Sequence, residues 1–163
     1  MSTENVQKKR SMTVWYIAVA IIVIVVIVVG VVLYEQSLTP APSSNVIQMT
    51  LYEGEVSTTS YGFGNSASSL QTPGPTLTFK VNQAYKMTVY NVGTLAHSWA
   101  ITAAQSSSSS PLFNSEINPG TYIAAGGSGS VTFTPTQSGN FSYVCPVGGH
   151  SDLGMWGNVV INP

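Results

Sequence analysis

Cys145, His150 and Met155 stand five residues apart in the segment Tyr143-Val-Cys145-Pro-Val-Gly-Gly-His150-Ser-Asp-Leu-Gly-Met155-Trp-Gly, and His97 lies 48 residues before Cys145. Together they include the only cysteine and both histidines of a 163-residue chain. One cysteine excludes an intrachain disulfide, a four-cysteine zinc or iron–sulfur site and a redox pair of cysteines. A thiolate and two neutral imidazoles instead make a trigonal donor set, to which a thioether adds a weak axial donor. That set suits copper in both its +1 and +2 states, so an electron comes and goes with little rearrangement of the ligands. Taken singly, a cysteine reads as a small buried hydrophobe and a histidine as a satisfied polar residue. Three donor types within an 11-residue window, followed by Trp156-Gly157 and a strand, favour the metal.

Such donors meet only if strand ends from distant parts of the chain share one pole. From residue 46 onward there is no helical periodicity, and β-prone runs fall at 46–52, 76–81, 85–92, 98–102, 130–134, 140–145 and 156–161. Several alternate on one face, as with Tyr85/Met87/Val89, Val131/Phe133 and Phe141/Tyr143/Cys145. Turn signals separate them at Thr72-Pro-Gly-Pro, Asn118-Pro-Gly, Gly126-Gly-Ser-Gly and Ser138-Gly-Asn. The pattern predicts an all-β fold, an antiparallel Greek-key β-sandwich. Pro146, Gly148, Gly149 and Gly154 let the loop from Cys145 to Met155 fold tightly, and the serine run 106–110 reads as a surface loop. Met49, Met87, Trp99 and Trp156 are expected in the core, and Glu53, Glu55, Glu116 and Asp152 in solvent.

The N-terminus is of a different kind. Residues 14–34 carry no charge and one glycine, Gly30. A helix of that length rises about 30 Å, the thickness of a bilayer's hydrocarbon core. Trp15, Tyr16 and Tyr34 stand at its ends, where amphipathic rings suit the headgroup zone. Lys8, Lys9 and Arg10 precede it, and no Lys or Arg follows until Lys80, which orients the N-terminus to the cytoplasm. The run is longer than a signal-peptide core, and Glu35-Gln36-Ser37-Leu38 is a poor cleavage site, so an uncleaved anchor is expected. The organisation read from sequence is thus a cytoplasmic stretch 1–13, a transmembrane anchor 14–34, a Pro/Ser linker 35–45 and one domain 46–163 on the outer side of the cell membrane.

Charged residues make up 7% of the chain, against roughly 25% in an average soluble domain. With Lys80 and Lys86 the only cations beyond residue 10, no nucleic-acid surface is available. Four carboxylates follow Gln36, so acid has few native carboxylate contacts to remove, which points to an acidic exterior.

From residue 46 to its end the chain resembles the cupredoxins, or blue copper proteins. The motifs that carry the likeness are Tyr143-Val-Cys145-x₄-His150-x₄-Met155-Trp-Gly-x-Val and Ala96-His97-Ser98-Trp99, and they are most similar to the sulfocyanin and rusticyanin branch. The anchor and Pro/Ser linker are more like sulfocyanin. The resemblance implies one type 1 copper ion held by His97, Cys145 and His150, with Met155 axial. It implies an electron carrier rather than an enzyme, with His150 nearest the surface beside Gly148, Gly149 and Trp156. Its redox partners would belong to a membrane respiratory chain, a haem-containing quinol oxidoreductase as donor and a terminal oxidase as acceptor. Ser98 stands where many cupredoxins have an asparagine that braces the site.

Three other classes are open. Multicopper oxidases and copper nitrite reductases contain such domains but need further histidines, and both histidines here are already assigned. A copper storage or delivery protein usually carries several exposed Met or His residues, whereas this chain has five methionines, Met1 and Met12 among them. A metal-free adhesion domain shares the sandwich fold and would hold no copper.

Overall fold

The computed structural model describes residues 14–27 and 45–163. The chain divides into two compact units, Met1–Ala41 and Pro42–Pro163. In the first, residues 14–27 are helical with their apolar side chains exposed. Among the described residues no helix is long and apolar enough to cross a membrane. The remainder of the predicted anchor, 28–34, and most of the predicted linker, 35–44, lie outside the described residues.

The second unit is a sandwich of two four-stranded sheets. Its strands are β1 (Ile47–Ser57), β2 (Ser60–Gly64), β3 (Gly74–Lys80), β4 (Tyr85–Asn91), β5 (Ala100–Thr102), β6 (Ser128–Phe133), β7 (Gly139–Val144) and β8 (Trp156–Asn162). One sheet runs β2-β1-β4-β6 and the other β3-β8-β7-β5. The seven runs predicted from sequence all form strands. The sheets are mixed rather than antiparallel, however, because β1 pairs parallel with β4 and β3 parallel with β8. The connections between these pairs pass through the opposite sheet, which leaves the two strands pointing the same way.

The strand that sequence reasoning missed is β2. Its Ser-Tyr-Gly-Phe-Gly carries two glycines, which have low strand propensity. What makes it a strand is its antiparallel pairing with the second half of β1, which runs five residues past the predicted end at Tyr52. Both glycines are required by close approach: a Cβ at Gly62 or Gly64 would strike the backbone of Gln71 or Ser69.

Alternation directs one face of each sheet inward. Leu51, Phe63, Phe79, Met87, Val89, Trp99, Ile101, Tyr143 and Val159 fill the core, and each is 2% exposed or less. Each such side chain contributes about 1.5–3 kcal/mol by leaving water. Tyr143, two residues before Cys145, braces its own sheet: its hydroxyl donates to the Pro75 carbonyl of β3 at 2.7 Å, and its ring occupies the space a Cβ at Gly157 of β8 would need. Met87 and Trp99 are buried as expected, while Met49 and Trp156 are partly buried.

Candidate metal centre

Three of the four candidate residues stand at or near the end of a strand in the second sheet, and His150 lies in the loop between β7 and β8. Cys145 follows β7 directly, Met155 precedes β8 directly, and His97 lies three residues before β5. The loop between Cys145 and Met155 closes on itself through backbone hydrogen bonds. The Cys145 amide donates to the Met155 carbonyl at 3.0 Å, and the Met155 amide to the His150 carbonyl at 3.0 Å. Two of its glycines, Gly149 and Gly154, have φ of 82° and 92°, a left-handed backbone that side-chain-bearing residues resist. His97 is held by a two-way bridge to Ile123, its amide donating at 3.1 Å and its carbonyl accepting at 2.7 Å. The buried Asn91 side chain fixes the loop before it, donating to the Leu95 and Ile123 carbonyls and accepting from the Gly93 amide.

These loops bring three donors together. The Nδ1 atoms of His97 and His150 are 3.1 Å apart, and Cys145 Sγ is 3.5 Å from His150 Nδ1. All three ligating atoms lie within 4.8 Å of one another. At bond lengths of about 2.0 Å to nitrogen and 2.3 Å to sulfur, neighbouring donors around one ion stand roughly 3–4 Å apart. The donor set therefore fits a single metal ion. Met155 is fully buried in the same core cluster as Cys145, with its backbone bonded to both Cys145 and His150.

The electrostatics agree with a metal site. Burial pushes the Cys145 thiol up to about 12, the charge of Glu53 adds to this, and the Val147 and Ser98 amides oppose it. A cation is thus what makes the thiolate available near neutral pH. Burial brings His97 down to about 4, His150 lowers it further, and Glu55 works against both. Burial also lowers His150, again opposed by Glu55. Both imidazoles are therefore neutral at pH 7 and keep a lone pair for a metal.

Ser98 holds the site in two ways. Its amide donates to Cys145 Sγ at 3.4 Å, and its hydroxyl donates to the Ile117 carbonyl at 2.5 Å. A backbone group thus supplies the bond to sulfur, and the side chain braces the neighbouring loop.

Of the four carboxylates expected in solvent only Asp152 is exposed; Glu55 and Glu116 are half-buried and Glu53 is buried. Glu53 is fully buried, neither of its carboxylate oxygens has a hydrogen-bond partner among the described residues, and burial raises it to about 8. Glu55 accepts from the Thr94 amide at 2.9 Å, the Thr94 hydroxyl at 3.1 Å and the Leu95 amide at 3.1 Å. Partial burial raises its pKa, but those hydrogen bonds outweigh it and hold the carboxylate below its ordinary value. Sequence reasoning also passed over Tyr61, whose ring centroid is 4.5 Å from His150 and 5.5 Å from His97. No local pattern marks these residues, because β1 and β2 reach the site only through sheet pairing. The serine run is more than a surface loop, since the Ser107 amide donates to Ser151 Oγ, within the Cys145–Met155 loop, at 2.9 Å.

Comparison with known proteins gives the trio its context. Residues 74–162, more than half of the chain, match the family of copper-binding proteins described as plastocyanin/azurin. None of the curated proteins matches the chain in sequence. Among solved structures, auracyanin B is similar at 18% identity and a TM-score of 0.51, over 77% of this chain and 94% of that one. A blue copper oxidase from Nitrosomonas europaea is similar at 20% identity and a TM-score of 0.54, over 73% of this chain and 39% of its own. The L499M mutant of the laccase from B. aclada reaches 18% and 0.56, over 76% and 24%. The chain thus spans well under half the length of these oxidase chains, and likeness at such identity concerns the fold alone. Copper is the metal of the matched family, and His97, Cys145 and His150 form a type 1-like site for it. The chain belongs to the plastocyanin/azurin family of copper-binding proteins, the cupredoxins.

Proposed function

We propose that this protein is an electron carrier with one type 1 copper ion, which His97, Cys145 and His150 would hold, with the Met155 thioether as a fourth, weaker donor. The observation that carries this reading is the convergence of two Nδ1 atoms and one thiol sulfur within 4.8 Å at a buried pole. Copper bound there supplies a one-electron couple between its +1 and +2 states. The protein's part is to keep the donors in place and water away. His97, Cys145 and Met155 are fully buried, and His150 alone is partly exposed. His150 is therefore the edge through which an electron enters and leaves, with exposed Leu95 and Leu153 in the two loops beside the site. Burial of the other donors also speaks against copper delivery, which needs ligands that an acceptor protein can reach.

A carrier rather than an oxidase is favoured by the two histidines, both of which this site uses. We place the chain in the sulfocyanin and rusticyanin branch, anchored through residues 14–34 with its copper domain outside the membrane. The uncharged run 14–34, the basic cluster at Lys8-Lys9-Arg10 and the Pro/Ser linker support that placement. Its partners would be a haem-containing quinol oxidoreductase and a terminal oxidase of a respiratory chain, in an acidic exterior.

The test is a visible spectrum of the full chain in detergent after loading with copper(II). An intense blue thiolate-to-copper band is expected in the wild type and absent in Cys145→Ser. A folded wild-type protein that stays colourless and holds no copper would overturn the reading and leave a metal-free surface domain.

A further inference from the structure

The hairpin formed by β1 and β2 lies wholly before residue 74, where the match to the copper-binding family begins. It nevertheless reaches both histidines. The register of the hairpin sets Glu55 opposite Tyr61. Glu55 Oε1 lies 3.8 Å from His97 Nε2, a buried nitrogen with no hydrogen-bond partner among the described residues. The Thr94 and Leu95 bonds to the same carboxylate fix it in that position. Tyr61 lies edge-on to His97 at an interplanar angle of 61° and tilted over His150 at 40°. Its amide donates to the Leu153 carbonyl at 3.0 Å, which joins the hairpin to the loop that carries His150.

A neutral imidazole carries its proton on one nitrogen, and the group facing the other decides which. With a carboxylate facing Nε2, the proton of His97 belongs on Nε2 and the lone pair of Nδ1 faces the pocket. Histidines that bind metals commonly give their second N–H to a carboxylate, which sets both tautomer and ring orientation. An aromatic ring against both imidazoles limits their rotation and adds an attraction that depends on ring geometry. From these contacts we infer that Glu55 and Tyr61 are positioning residues that hold His97 and His150 ready for copper before the ion arrives. The inference rests on His97 and His150 being the copper ligands. Glu55 also places a negative charge near the ion, which favours copper(II) over copper(I).

The two histidines make a direct test possible, since a full chain with ¹⁵N-labelled histidine shows only two imidazoles. In metal-free protein near neutral pH, His97 is expected to carry its proton on Nε2. Glu55→Gln keeps an acceptor and should preserve that tautomer, whereas Glu55→Ala should release it to a mixture. A His97 protonated on Nδ1 in the wild type, or a tautomer unmoved in folded Glu55→Ala, overturns the role of Glu55. If Glu55→Ala does not fold, the reduction potential of copper-loaded Glu55→Gln decides. The ratio of copper(I) to copper(II) affinity should rise about tenfold, or 59 mV for one electron, and an unchanged potential overturns it. For Tyr61, Tyr61→Ala should lose about tenfold in copper(II) affinity and Tyr61→Phe should restore it. Wild-type affinity in Tyr61→Ala overturns the role of the ring. Failure of the ligand assignment looks different: the wild type would then lack the blue band, while the metal-free tautomer still reports on Glu55.

Discussion

The two sheets divide the work at the metal pole unequally. The sheet β3-β8-β7-β5, with the loops that leave its strands, carries all four candidate ligands, whereas the sheet β2-β1-β4-β6 carries none of them. What the latter contributes is the environment: Glu53 and Glu55 from β1 and Tyr61 from β2. Donors must point at a common centre, and Cys145 and His150 achieve this from within one 11-residue loop whose ends are adjacent antiparallel strands. The environment carries no such constraint on chain distance, because any side chain that the sandwich brings across will serve. One sheet therefore holds the candidate donors, and the other supplies side chains that surround them.

The largest effect expected from breaking that division lies in the sheet without ligands. Glu53 is an acid whose folded pKa, about 8, stands above its ordinary value of 4.5. The folded state therefore holds the proton more tightly than the unfolded state. Between those two values stability falls as pH rises; below the lower one both states are protonated and the penalty is gone. The full cost above pH 8 is on the order of 5 kcal/mol. Glu53→Gln should remove this dependence: in copper-free urea unfolding it should match the wild type near pH 4 and exceed it by several kcal/mol near pH 8. Equal stability at both pH values would show that Glu53 finds a partner or water when it ionises.

The next largest effect belongs to the ligand-bearing sheet. Copper at about 1,000 times its dissociation constant should stabilise the fold by about 4 kcal/mol. Thermal melting should show that gain in the wild type and none in Cys145→Ser. A smaller effect is expected in the loop itself. A Cβ at Gly154 would collide with the Thr72 hydroxyl, which donates to the Gly154 carbonyl at 2.8 Å, and φ there is 92°. Gly154→Ala should cost about 1–3 kcal/mol by urea unfolding. The smallest is Met155→Leu, which keeps the apolar volume but removes the thioether proposed as the weak fourth donor. The blue band should persist while the potential rises by roughly 59 mV, a tenfold change in relative affinity. A colourless Met155→Leu would make the thioether as necessary as the thiolate.

Legibility followed the same division between the sheets. Cys145 and His150 were readable because the donor types sit at a fixed short spacing between glycines, and His97 because it was the other histidine. Strands with inward alternation, such as Tyr85/Met87/Val89, were readable for the same reason: period-2 burial is a local pattern. β2 was not, since its glycines serve close approach to Gln71 and Ser69 rather than propensity. Nor were Glu53 and Glu55, whose residue type alone places them in solvent. Burial there is decided by what β4 and the 93–97 loop lay over them.

The sequence by itself determined the donor set, its metal chemistry and a sandwich of short strands, because residue type, covalent spacing and alternation are properties of neighbouring positions. The tertiary structure decided which strands run parallel, that Tyr61 lies against both imidazoles, and that one glutamate is sealed in the core while another faces His97. Those outcomes depend on pairing that exists only once the sheet has formed, whether within a hairpin, as for the Cα partners Glu55 and Tyr61, or between distant segments, as for Glu53 and Asn91.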